Sequence, residues 1–273
     1  SISNPRGTTC YEWLDKEIRD RTLCDSWAGF LHNTISHPEE YPTKYKQRMI
    51  PISKLISDEY FNEKLGSCKA IFVFTNQVKK FIVENTGFSK VFVLRHPSGI
   101  HGTKKQWESP EKILHVGQQM RKYHSFANLK TSMKKVLVKP FRCEGDLVEM
   151  KNYTRQEKDV EYLEQMDLDE YTALMCRSVV FLDLYDVAAC NTILECISLS
   201  APVVVNRLEG CVEYLGESYP LYYSTIEEAE SKIGDHKLIE QAHRYLSSMD
   251  KTEMSTEKFI HSILTHTLAG RAC

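Results

Sequence analysis

The stretch Val179–Tyr223 reads VVFLDLYDVAACNTILECISLSAPVVVNRLEGCVEYLGESYPLYY, and its pattern decides the fold. Val179–Leu184 is a short apolar run, rich in β-branched and aromatic residues, and so reads as a strand. A turn of small residues follows. Apolar residues at helical spacing then occupy 191–199, and a second strand, Val203–Val205, comes after Ala201-Pro202. Strand, helix and strand in this order describe a parallel crossover.

The same alternation extends to both sides. Ser26–Leu31, Ala70–Phe74, Val91–Leu94, Ile113–Val116 and Val136–Val138 read as further strands, with helical patterns at 54–66, 76–86, 169–176 and 225–233. The strands are almost continuously apolar, which suits parallel strands buried on both faces. The expected class is α/β. The aperiodic segment His96–Trp107 (HPSGIHGTKKQW) interrupts the alternation and reads as a linker. It divides an N-terminal Rossmann-like unit, 1–105, from a C-terminal one, 106–251. Residues 252–273, with Phe259, Ile260, Ile263 and Leu264 at helical spacing, are expected to fold back over the first unit. Two such units are expected to face a cleft lined by the ends of their strands, where ligands of open α/β sheets bind.

Composition narrows the function. The chain has 273 residues, 35 basic and 37 acidic, with 42% hydrophobic residues. That balance speaks against a dedicated nucleic-acid binder. No stretch approaches the roughly 18–20 apolar residues of a membrane span, and Ser1–Trp13 carries no basic-then-apolar signal pattern. The nine cysteines are odd in number, none lies at C-x-x-C spacing, and several fall in apolar runs. They read as buried thiols of a reducing, cytoplasmic compartment. The histidines form no zinc pattern, and no G-x-G-x-x-G follows an early strand, which disfavours a nicotinamide-dependent oxidoreductase.

Three groups of residues follow strands. In the first, Asn191 and Thr192 open a helix whose free amides and dipole suit an anion. Glu195, one turn on, is placed to accept hydrogen bonds from vicinal hydroxyls, with Asp186 just before the turn. Phosphate beside ribose makes a nucleotide subsite; a plain helix start with a surface glutamate fits the same residues. In the second, Gly117-Gln118-Gln119-Met120-Arg121-Lys122 places a glycine and then cations after a strand. The glycine lets backbone approach a diphosphate, while Arg121 or Lys122 neutralises charge on the leaving group. Lys139 stands after the next strand. In the third, Leu31–Tyr41 (LHNTISHPEEY) supplies His32 as a base of near-neutral pKa. His37, Glu39, Tyr41 and His96 stand on the acceptor side, with His37, Glu39 and Asp25 as reserve bases and Arg95 to serve phosphate or acceptor.

The runs N-T-I-L-E-C-I, A-P-V-V-V-N and E-Y-L-G-E-S-Y-P-L-Y-Y resemble the C-terminal half of GT-B glycosyltransferases, in which an acidic residue of a similar helix holds the ribose of a nucleotide sugar. The likeness spans most of 26–245. It is nearest to short GT-B-like enzymes of large DNA viruses and bacteria, including those of chlorella-virus capsid-glycan synthesis, among them a xylosyltransferase of about this size. It implies two Rossmann-like units with a reduced N-terminal one, and sugar transfer from a UDP- or GDP-linked donor to a glycan or glycoprotein hydroxyl. Retaining families carry E-x7-E around this helix. Here the position eight before Glu195 is Val187, which tilts the expectation toward inversion. The resemblance requires no cofactor beyond the nucleotide sugar; the cations can carry the charge a metal would. A non-catalytic nucleotide- or glycan-binding module of the same fold is the alternative.

Two spellings carry less. Asp167-Leu168-Asp169 matches the D-x-D of metal-dependent glycosyltransferases but directly precedes a helical stretch, so Asp169 as its N-cap is the simpler expectation. Asn152-Tyr153-Thr154 is a sequon by spelling only.

Overall fold

A computed structural model describes residues 2–3, 7–41, 49–100, 107–138 and 159–268. The chain divides into two units, Ser1–Pro97 with Ser255–Cys273, and Ser98–Met254.

The first unit is built on a five-stranded sheet: β1 (Ile2–Ser3), β2 (Thr9–Tyr11), β3 (Trp27–Phe30), β4 (Cys68–Val73) and β5 (Val91–Val93), in that order. β1 pairs antiparallel with β2, and the other neighbours are parallel. All four residues of β3 are buried, as are five of the six of β4. These continuously apolar strands therefore have both faces covered, as their sequence demands. Covering comes from α1 (Leu14–Arg19), α2 (Ile52–Leu55), α3 (Glu59–Leu65) and α4 (Asn76–Thr86). α4 starts where Thr75 Oγ1 accepts from the amide of Val78 and stops at Gly87, whose φ of 69° is left-handed. A last helix of the chain, α11 (Thr256–Leu268), packs against β4; Phe259 stacks on Phe30 at 5.6 Å and His266 on Phe92 at 3.8 Å.

The second unit carries six parallel strands, β6 (Lys112–His115), β7 (Lys134–Val138), β8 (Val160–Leu163), β9 (Ser178–Leu182), β10 (Val203–Asn206) and β11 (Tyr222–Tyr223). Their spatial order is β11-β10-β9-β6-β7-β8, the order of a doubly wound dinucleotide-binding sheet. Helices α5 (Tyr123–Ala127), α6 (Leu168–Cys176), α7 (Asn191–Leu199), α8 (Glu209–Leu215), α9 (Ile226–Gly234) and α10 (His236–Ser248) join and flank them. A short 3-10 turn, Thr252–Met254, leads out. The core holds the fully buried Ile113, Leu114, Val136, Leu137, Val179–Leu182 and Val203–Val205.

The sequence pattern located the apolar strands β3–β7, β9 and β10 but not β1, β2, β8 and β11. β1 and β11 have two residues each, and β2 (TCY) and β8 (VEYL) mix polar residues into three or four, so none presents a continuous apolar run. The strand expected over Val179–Leu184 ends at Leu182, because the chain leaves the sheet at Asp183. α6 starts at Leu168 with Asp167 as its N-cap, its Oδ1 accepting from the Glu170 amide at 2.8 Å; the cap is Asp167 and not Asp169. No helix among the described residues is long and apolar enough to cross a membrane. Seven described cysteines are free thiols. Lys139 and the sequon lie outside the described residues.

Candidate nucleotide site

In the second sheet β6 and β9 lie side by side although their connections run to opposite edges. Such a reversal opens a crevice beyond the strands' C-terminal ends, and the segments after these two strands meet there. The segment after β6 turns at Gly117, φ 85°, and again at Met120, φ 59°. A side chain at 117 would be strained by that φ, and its Cβ would come within 2.8 Å of Arg121 Nη2 and 3.2 Å of Thr192 Oγ1. The two segments are zipped together. The Lys122 amide donates to the Asp183 carbonyl at 2.8 Å, and the Tyr185 amide to that of Met120 at 3.0 Å. The Tyr123 hydroxyl secures the bend from below, donating to the carbonyl of Gly117 at 3.1 Å and that of Gln118 at 3.4 Å.

Arg121 joins this loop to α7. Its Nη2 donates to Thr192 Oγ1 at 3.1 Å and to Cys190 Sγ at 3.5 Å, Nη1 to the Gln119 carbonyl at 2.8 Å, and Nε to the Val116 carbonyl at 3.3 Å. A guanidinium has five N–H donors, so one is left for a ligand. The residue expected to neutralise charge on a leaving group is thus also a clamp between the loop and α7. Lys122 is likewise engaged. Its ammonium pairs with Asp183 at 3.3 Å and lies over the Tyr185 ring, while Asp183 also accepts from Ser125.

α7 begins at Asn191, and its N-cap is Cys190, not Asn191 or Thr192; no side chain caps the helix. Its first amides are therefore left without a side-chain acceptor, and the helix dipole adds positive character there. Asn191 is exposed, Thr192 is buried, and Gly117 is exposed. Glu195 shares a face with Asn191, four residues before it. Burial raises its carboxyl above the usual range, partly offset by a hydrogen bond from Tyr171 and by the charge of Arg121. Asp186 also sits above the usual carboxylate range, because of burial; its Oδ1 accepts from the Val187 amide at 2.8 Å. Asp186 thus braces the turn through this oxygen.

Three supports lay outside the sequence reading. Asn206, at the end of β10, pins Leu184 through both backbone groups, accepting at 2.8 Å and donating at 2.9 Å. Gly210 lets α8 press on the turn, where a Cβ would meet the Val187 carbonyl at 2.4 Å. Tyr171 holds Glu195. Only the ending of A-P-V-V-V-N, an amide at a strand terminus, signalled any of them.

The remaining candidates belong to the first unit. His32 sits after β3 in an aromatic surround, its ring centroid 4.4 Å from Trp13, 4.9 Å from Phe74 and 6.4 Å from His96. Burial, with a smaller contribution from His96, lowers its pKa to about 4. The expected near-neutral base is thus a neutral imidazole of weakened basicity, its buried Nδ1 without a hydrogen-bond partner. His96 Nδ1 meets the Pro97 carbonyl at 3.0 Å. His37 packs on Tyr41 at 5.5 Å; Tyr41 is buried, its hydroxyl 3.8 Å from the Met49 sulfur, and Glu39 is exposed. Asp25 is exposed and pairs with Lys64 at 3.1 Å.

By sequence, the chain matches no protein-family model and no curated protein. By structure it is similar to TarM of Staphylococcus aureus, crystallised with fondaparinux, α-GlcNAc-glycerol and UDP (TM-score 0.63, 12% identity, covering 89% of this chain and 50% of that one). It is also similar to sucrose-phosphate synthase of Thermosynechococcus elongatus (0.68, 11%, 96% and 73%) and to Anabaena HepE in complex with UDP and glucose (0.66, 13%, 90% and 72%). The chain spans about half the length of TarM. At these identities the likeness is one of fold: two parallel-sheet α/β units, as in GT-B glycosyltransferases.

Proposed function

We propose that this chain transfers a sugar from a UDP-linked donor to a glycan or glycoprotein hydroxyl, with inversion. The observation that carries the reading is the meeting, beyond β6 and β9, of the Gly117 bend, the Arg121 clamp and the uncapped start of α7, with Glu195 on the same helix face. The diphosphate would lie against the amides of Asn191 and Thr192, close to Gly117 and Gln118, with the last N–H of Arg121 on it. Helix amides and a guanidinium strengthen as charge grows on a departing diphosphate. Lys122 and Asp186 would support this surface through Asp183 and Val187. The ribose hydroxyls would be received by Glu195. UDP is chosen because the similar TarM and HepE structures hold it. The transferred unit is a hexosyl or pentosyl group, with xylosyl the choice that the viral resemblance favours. No cofactor is called for, and the free thiols fit a cytoplasmic setting.

On the acceptor side His32 is the base, with His37, Glu39, Tyr41 and His96 shaping its surroundings. Held neutral, its imidazole would take the hydroxyl proton on a ring nitrogen. The test has two stages. A thermal-shift series with UDP, GDP and CMP, with and without Mn²⁺, should show saturable stabilisation by UDP; no shift with any nucleotide would sink the reading. Nucleotide release from UDP-sugars, with anomeric assignment of the product by NMR, then distinguishes an inverting enzyme from a binding module. Tight UDP binding with no release against any acceptor favours the module, a reading that the weakened basicity of His32 supports.

A further inference from the structure

Tyr171 belongs to none of the motifs that point to a nucleotide. It lies in α6, which packs along α7, and its hydroxyl donates to Glu195 Oε2 at 2.6 Å. Burial and the adjoining carboxylate push its phenol well above the ordinary range, so it remains a donor at any physiological pH. A carboxylate offers about four lone-pair positions. With one taken on Oε2, the Glu195 side chain is held against rotation while Oε1 is left to accept from a ligand. The burial that raises the Glu195 carboxyl would otherwise leave its charge poorly compensated.

We propose that Tyr171 is a positioning residue that sets the selectivity of this site for ribose over 2′-deoxyribose, by fixing the Glu195 carboxylate as a rigid acceptor for the sugar hydroxyl. The proposal rests on the nucleotide reading of the site. A group built to bond a hydroxyl rejects an analogue lacking it, because the buried acceptor is then left unpaired. A carboxylate free to turn loses much of that discrimination.

Isothermal titration of the whole chain with UDP and with 2′-deoxy-UDP tests this. The unmodified chain should bind UDP about tenfold more tightly or better, as one lost bond to a charged group implies. Tyr171→Phe, which keeps the ring, should bring the two affinities within about threefold by weakening UDP alone. In a Glu195→Ala background the same change should leave the ratio untouched, since Tyr171 then has nothing to hold. If Tyr171→Phe does not melt cooperatively, Tyr171→Met replaces it: the flexible apolar side chain fills the space without a donor for Glu195, and the ratio should collapse in the same way. Retention of the full ratio in the variant measured, or equal binding of both nucleotides by the unmodified chain, overturns the proposal while leaving a nucleotide site in place. Failure to bind either nucleotide overturns the reading beneath it.

Discussion

Arg121 Nη2 and Thr192 Oγ1, 71 residues apart in sequence, stand 3.1 Å from each other and join the loop after β6 to the first turn of α7. This contact places a cation at the helix start that follows β9, beside the topological reversal. It makes Arg121 a structural part of the site as well as a charge.

Two substitutions separate these roles. Thr192→Val removes the acceptor at nearly constant volume and should cost about 1 kcal/mol of stability, with UDP binding weakened roughly fivefold. Arg121→Ala removes four hydrogen bonds together with the charge, and should weaken UDP binding by considerably more than Thr192→Val. Urea denaturation and calorimetry measure both; equal affinities in the two variants would show that the charge contributes nothing to binding.

Gly117→Ala should damage the site from the backbone. At φ 85° an alanine is strained by about 1–2 kcal/mol, and its Cβ would displace the Arg121 guanidinium. The expected outcome is a modest loss of melting temperature with a large loss of UDP affinity. Unchanged affinity would place the diphosphate elsewhere.

Gly210→Ala addresses the opposite wall of the turn. Its Cβ would overlap the Val187 carbonyl, a backbone atom that cannot swing away, so α8 or the turn must shift. Overpacking of this kind costs about 1–3 kcal/mol, and denaturant unfolding should show it without any ligand present.

Stability should fall as the solution is acidified, through two histidines held neutral. Burial lowers the pKa of His32 to about 4 and that of His115, fully buried against the Phe181 carbonyl, to about 3. Unfolded, both titrate near 6.5. Below that pH the unfolded chain binds more protons, so the stability present above about pH 6.5 is progressively lost down to about pH 4 and pH 3. Replacing His115 by Leu should flatten part of this slope in melting curves recorded from pH 7 to pH 4; an identical slope would remove His115 as a cause. The same lowered value places the acid limb of activity, if His32 is the base, near pH 4 and not near pH 6.5.

Much of the fold was legible because burial leaves a local signature. VVFL and VVV are apolar on every residue since both faces of their strands are covered. The glycine after Ile113–Val116 and the helix opening at Asn191 were legible for a similar reason, as each marks a backbone requirement met within a few residues. The mixed, mostly half-buried β8 and the two-residue β11 left no such trace, and neither did the partners of charged side chains. Lys122 and Arg121 are adjacent in sequence, yet one is neutralised by Asp183 and the other spans to Thr192.

The sequence by itself determined that the chain folds as parallel α/β units and that glycine, cations and a helix start follow particular strands. Tertiary structure alone decided which of those groups meet. β6 and β9 become neighbours through the order of the sheet, not through proximity in the chain. Only that order turns Arg121 into a clamp; packing of α6 on α7 seats Tyr171 on Glu195, and the first unit surrounds His32 with aromatic rings that strip its basicity. Periodicity reports how each segment meets its own two faces; hydrogen bonds and desolvation depend on what the fold brings to those faces from elsewhere.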